Sequence, residues 1–203
     1  MDQCTNPDDT KAATDSKAAL YFIERWFGAS KHPVYFCSLP NDKSDPNEPG
    51  ERHIATRDIE EATAFIIKWD RPGRGLYFCA STIKLGAVRN KENVAELCGL
   101  WADIDFKDVI DSPDTILRRV KALRLPPSII VSSGHGYHCW WPFKEPLPAT
   151  PENIERVEAA LKQLADLVGG DMKVTQVAAL MRLPGSHNSK WGEWNPVEVV
   201  AHV

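Results

Sequence analysis

The chain has 203 residues, 43% hydrophobic and 26% charged, with a formal net charge of −4. That length fits one domain, or two small lobes of one unit, and can bury a core without disulfide or metal staples. The balance excludes a protein whose whole surface coats nucleic acid, which would be basic, and no apolar run reaches the roughly 18 residues of a membrane span.

The opening, MDQCTNPDDTKAATDSK, lacks the basic-then-apolar order of a secretory leader. A soluble intracellular protein with a frayed terminus over 1–16 is the expectation. Residues 17–28 carry Leu20, Ile23 and Phe27 at helical spacing and stop at Gly28. PVYFCSL reads as a strand, and 40–51 as a long polar loop. A helix over Asp58–Trp69 is predicted from the stripe Ile59, Ala62, Phe65, Ile66 and Trp69. The turn DRPGRG then leads into the strand LYFCAST.

From residue 100 the order is sharper. LWADIDF alternates as a strand, and Ser112 and Pro113 open a helix with Ile116, Leu117, Val120 and Leu123 on one face. SIIVSS and YHCWWPF are two strands joined by the tight turn GHG. Thr150 caps a second helix that stops at Gly169-Gly170, 178–183 is short and apolar, and PVEVVAHV closes as a strand. This β-α-β-β-α-β order predicts an antiparallel ferredoxin-like lobe over 100–203, with an irregular α/β lobe over 17–99. The strand-like run ending at Val203 suggests a fragment of a longer protein. The five cysteines form no CxxC pair, so zinc held by close cysteine pairs is not expected. Cys79 and Cys139 sit in apolar strands as core filler.

Three segments carry chemistry. On the strand 100–106 alternation puts Trp101, Asp103 and Asp105 on one face and Ala102, Ile104 and Phe106 on the other. Two carboxylates so close repel unless a cation lies between them, and oxygen ligands suit Mg²⁺ or Mn²⁺. A solvated outer strand face gives the same pattern. In SSGHGYH, turn amides near Ser133 and Gly134 and the imidazole of His138 are suited to phosphate, as they are to a plain hairpin. His135, in the turn itself, is expected to be exposed. Asp171 follows the second helix, and in MRLPGSHNSK the cations Arg182 and Lys190 flank a turn bearing Ser186 and Asn188, a pattern suited to a phosphate clamp or to an ordinary surface turn.

Taken in order, DID, SSGHGYH and Asp171 with MRLPGSHNSK resemble the archaeo-eukaryotic primase superfamily, above all the primase-polymerase domains of phage, plasmid and mobile-element replication proteins. The separations match, with 33 positions from Asp105 to His138 and 33 from His138 to Asp171. The resemblance implies an α+β fold: an α/β lobe packed on a βαββαβ lobe, with the active site in the cleft between them. It implies that Asp103, Asp105 and Asp171 bind two Mg²⁺ or Mn²⁺ ions, without zinc. It places His138 on the triphosphate of an incoming nucleotide, with Arg182 and Lys190 as further contacts, Ser133 and Asn188 beside them, and Arg89 and Lys91 as weaker candidates.

The activity implied is template-directed nucleotidyl transfer, by a primase or primer-extending polymerase. Its partners would be a single-stranded DNA template, a primer, NTP or dNTP, and a helicase or accessory region beyond Val203, in the cytoplasm of a bacterium or phage-infected cell. Arg71, Arg74, Trp191 and Trp194 are candidates for template contact by charge and stacking, although tryptophans beside a closing strand more often pack. A metal-dependent nuclease and a non-catalytic replication module are the competing readings.

Overall fold

A computed structural model describes residues 13–202. Cys4 and most of the terminus expected to fray lie outside the described residues. Asp15 caps helix α1 (Ser16–Phe27) by accepting from the Ala18 amide at 2.9 Å. Its buried face is Ala19, Phe22, Ile23, Trp26 and Phe27. Strand β1 (Val34–Pro40) pairs antiparallel with β2 (Arg52–Thr56) on one side and with β3 (Arg74–Cys79) on the other. The sequence reading leaves out β2, a short edge strand with Arg52 and His53 exposed and little hydrophobic alternation. Helix α2 (Ile59–Trp69) is capped by Asp58 and buries Ala62, Phe65 and Ile66. Ile59, expected on that stripe, is exposed.

The second sheet begins with β4 (Glu96–Asp105), followed by helix α3 (Pro113–Lys121), capped by Ser112. Strands β5 (Ile129–Ser132) and β6 (Gly136–Pro148) form the hairpin, and helix α4 (Pro151–Val168) ends on the left-handed Gly169. The remaining strands are β7 (Leu180–Arg182), β8 (His187–Asn188), β9 (Asn195–Pro196) and β10 (Glu198–His202).

The fold is α+β with two antiparallel sheets, as expected, but the strands are shared out differently. The second sheet runs β10-β5-β6-β4. Thus β4-α3-β5 straddles β6, and β6-α4-β10 straddles β5. The last strand lies beside β5, whereas a ferredoxin-like sheet would set it beside the first. The edge of β4 is met instead by the segment after α4, where the Asp171 amide donates to the Asp103 carbonyl at 2.7 Å. The first sheet runs β2-β1-β3-β8-β9, with β7 also on β3. Residues 180–196, expected in the second lobe, therefore complete the first.

One core joins the two sheets. Trp140 of β6 stacks on Phe78 of β3 with centroids 5.5 Å apart, and Phe22 and Trp26 of α1 meet Trp140 edge-on at 5.3 and 4.8 Å. The face of β4 carrying Ala102 and Ile104 packs separately with Ile116 and Val120 of α3 and Val168 of α4. Trp101 turns the other way, into the shared core, as strand alternation requires. None of the described helices is long and apolar enough to cross a membrane.

Candidate active site

A cleft of about 400 Å³ opens where β4 and β6 of one sheet face β3 and β7 of the other, and it draws in all three sequence segments. Asp103 and Asp105 reach it from β4, Ser133 and His138 from the hairpin, Asp171 from the exit of α4, and Arg182, Asn188, Lys190 and Trp191 from the last segment.

The backbone fixes the acidic wall. Asp103 lies across from His138 in the β4–β6 register, and Asp105 lies across from Gly136. A β-carbon on Gly136 would overlap the Ile104 carbonyl oxygen, so glycine allows the strands to close at this point. Asp171 is held by its amide on Asp103, and its carboxylate accepts from the Lys173 amide at 2.9 Å. Lys107 lies 3.2 Å from Asp105.

Burial, with the nearby charges of Asp105 and Asp171, pushes the Asp103 carboxyl up to about 7. Its buried Oδ1 has no hydrogen-bond partner. His138 is 3% exposed, and burial beside Arg182 pushes its imidazole down to about 3. The 3.5 Å approach of His138 Nε2 to Asp103 therefore joins a carboxyl to a neutral ring and is no ion pair. Burial therefore favours the neutral ring, with one N–H, at this position.

The opposite wall is basic. Arg182 is 6% exposed, lies 4.9 Å over the Tyr77 ring, and has no hydrogen-bond partner for either terminal nitrogen. Burial pushes its guanidinium below its ordinary value, as it does the Lys190 amine, which also feels Arg182. An unpaired buried cation is costly, so this wall is ready for an anion.

Asn188 is scaffold as well as lining. Its side chain donates to the Ser133 carbonyl at 2.8 Å and accepts from the Lys190 amide at 3.2 Å, tying the hairpin to the last segment. Ser133 is buried, with its amide spent on the Gly136 carbonyl. His135 is not exposed as expected: its side chain is 25% accessible, 4.6 Å from the Trp191 ring and 3.2 Å from Glu193. Trp191, expected to pack, is 72% exposed, whereas Trp194 stacks on His187 at 4.2 Å.

Besides Trp194, four basic candidates are not among the cleft-lining residues, and each has another role. Arg74 is buried, bonded to Ser38, Glu48 and the carbonyls of Pro49 and Gly50. Arg71 pairs with the same Glu48 at 3.0 Å. Arg89 donates to the Ala178 carbonyl at 2.7 Å, and Lys91 pairs with Glu158 at 2.7 Å. These cations brace loops. Conversely, Tyr77, Lys107 and Lys173 line the cleft without a sequence signal. Only the β3–β7 pairing, which sets Tyr77 opposite Arg182, brings the tyrosine in.

The acidic wall fits a divalent cation in donor type and charge. Its carboxylates repel one another, and one buried oxygen is unpartnered. Among the described residues no three His, Cys, Asp or Glu side chains close into a finished metal cage. Mg²⁺ rarely uses such a cage, being held by one or two carboxylates with water and substrate phosphate.

No family model matches the chain, and no curated protein sequence matches it significantly. Solved structures do. The AEP domain of the cyanophage S-2L primase-polymerase superposes with a TM-score of 0.67 at 14% identity, over 95% of this chain and 92% of that one. The primase RepB′ superposes at 0.57 and 15% identity, over 91% of this chain and 56% of that one. The RepB′ catalytic domain in complex with initiator DNA gives 0.55 at 16% identity, over 91% and 85%. The chain thus has the fold of archaeo-eukaryotic primase catalytic domains.

Proposed function

We propose that the protein is a template-directed nucleotidyltransferase, a DNA primase or primer-extending polymerase acting in replication of a phage or other mobile element. The carrying observation is the cleft's division of charge. Three carboxylates from β4 and the exit of α4 face a buried guanidinium whose terminal nitrogens have no hydrogen-bond partner, in a fold shared with primase-polymerase domains.

The triphosphate of a nucleotide lies against Arg182 and Lys190. Arg182 is held over the Tyr77 ring, so little ordering is lost when it binds phosphate. His138 offers a neutral ring nitrogen to the same group. The hydroxyl of a primer end or first nucleotide attacks the α-phosphorus, a P–O bond forms, and pyrophosphate leaves with its bridging oxygen. Arg182 and Lys190 face the negative charge that grows on the phosphates. Mg²⁺ or Mn²⁺ held by Asp103, Asp105 and Asp171 would supply acidification of the attacking hydroxyl and charge stabilisation of the leaving group. The RepB′ catalytic domain in complex with initiator DNA supports DNA as a partner, and a single-stranded template is part of this reading.

The test is template-directed synthesis with Mg²⁺ or Mn²⁺, with and without a primer, offering NTP and dNTP separately. Asp103→Ala and Asp171→Ala abolish product while the melting temperature stays near or above wild type. Normal synthesis by either variant, or shortening of the primer in place of lengthening, refutes the reading.

A further inference from the structure

Trp191 is the one described non-glycine residue with positive φ, at 58°. A tryptophan there costs about 1–2 kcal/mol of backbone strain, and its neighbour Gly192 also has positive φ. The ring is not burying itself in return, because it is 72% exposed. One side meets His135, with centroids 4.6 Å apart and planes tilted by 60°, and His135 is in turn beside Glu193. Trp191 also lines the cleft that holds Arg182 and Lys190. Strain kept without packing calls for a role in binding.

We propose that Trp191 is the stacking surface for the base of the nucleotide whose triphosphate lies on Arg182 and Lys190, so that a nucleotide binds before any template is present. This rests on the reading of the cleft above and adds the base-binding half of the site. Lys190 and Trp191 are consecutive, so phosphate and base are held by adjacent side chains of one short turn. Every base has a π-face, so the platform accepts purines and pyrimidines, purines more tightly for their larger area.

The experiment is calorimetric titration of the full chain in Mg²⁺ buffer with three ligands in the absence of DNA, namely dATP, dCTP and inorganic tripolyphosphate, and in a separate titration with a single-stranded oligonucleotide. In Trp191→Ala, dATP affinity falls roughly tenfold or more, dCTP affinity falls less, and tripolyphosphate binds as in wild type. Trp191→Phe restores most of the loss. Arg182→Ala weakens all three ligands. Trp191→Gly melts no lower than wild type, because glycine removes the strain, yet shows the same nucleotide defect. Unchanged dATP affinity in Trp191→Ala and Trp191→Gly overturns the inference, as does an equal loss for tripolyphosphate. A loss confined to single-stranded oligonucleotide also overturns it, since the ring would then serve the template. If wild type binds neither nucleotide nor tripolyphosphate, the phosphate site falls and this inference with it.

Discussion

Asp103 and His138 face each other across two strands, and burial moves their titrations in opposite directions. Asp103 titrates near 7 in the folded protein, against about 3.9 unfolded. Between those values the folded state holds the extra proton, so stability falls as pH rises from about 4 to 7. His138 titrates near 3 folded, against about 6.5 unfolded. There the unfolded state holds the extra proton, and stability rises from pH 3 to 6.5. Each slope is at most about 1.4 kcal/mol per pH unit, so in chelator the two nearly cancel from about pH 4 to 6.5. Asp103→Asn should unmask the histidine: its melting temperature climbs across that interval while wild type stays level. A level curve for the variant would show that His138 is not held neutral by burial. The sequence names both residues and their shared cleft. It could not give the depth of His138, because the ring is covered where β7 brings Arg182 to the hairpin, a contact between residues far apart in the chain.

At the scale of elements, the hairpin Ile129–Pro148 is the scaffold of the acidic wall, and two small features set its position. Gly136 lets β6 close against Ile104 and Asp105, and Asn188 ties the turn to the last segment. Gly136→Ala forces the strands apart and should cost about 1–3 kcal/mol. Asn188→Ala strands a buried carbonyl and an amide, for a similar loss. Denaturant melts measure both, and both should lower nucleotide affinity with Asp103 and Arg182 intact; an Asn188→Ala protein with wild-type stability and binding would reduce that side chain to bystander. Helices were legible because their signals are local: Ser112 and Thr150 read as caps, and apolar stripes marked the other two, whose caps Asp15 and Asp58 the structure adds. Strand limits were less so. β4 begins at Glu96 and β6 runs on to Pro148, because pairing carries them past residues 100 and 143, where the sequence reading begins the one and ends the other.

For the whole molecule, the composition foretold an acidic protein, and the structure ties most candidate DNA-contacting arginines to acids or carbonyls. With Arg71 and Arg74 committed to Glu48, few phosphates can be neutralised. Single-stranded DNA binding should therefore be weak and show a shallow salt slope of about 0.7 per phosphate contacted. Fluorescence anisotropy of a labelled oligonucleotide across a salt series measures it, and tight binding at physiological salt would reveal a basic surface elsewhere. The grouping into lobes was legible only in part, since pairing of β7 and β8 with β3 joins residues about a hundred positions apart, which no local pattern announces. That pairing has a consequence for biosynthesis. The strand opposite Tyr77 and the turn bearing Lys190 leave the ribosome after Asp103 and Asp105 by a long stretch of chain, and only shortly after Asp171. The pocket is therefore assembled only once the segment through Lys190 has been made.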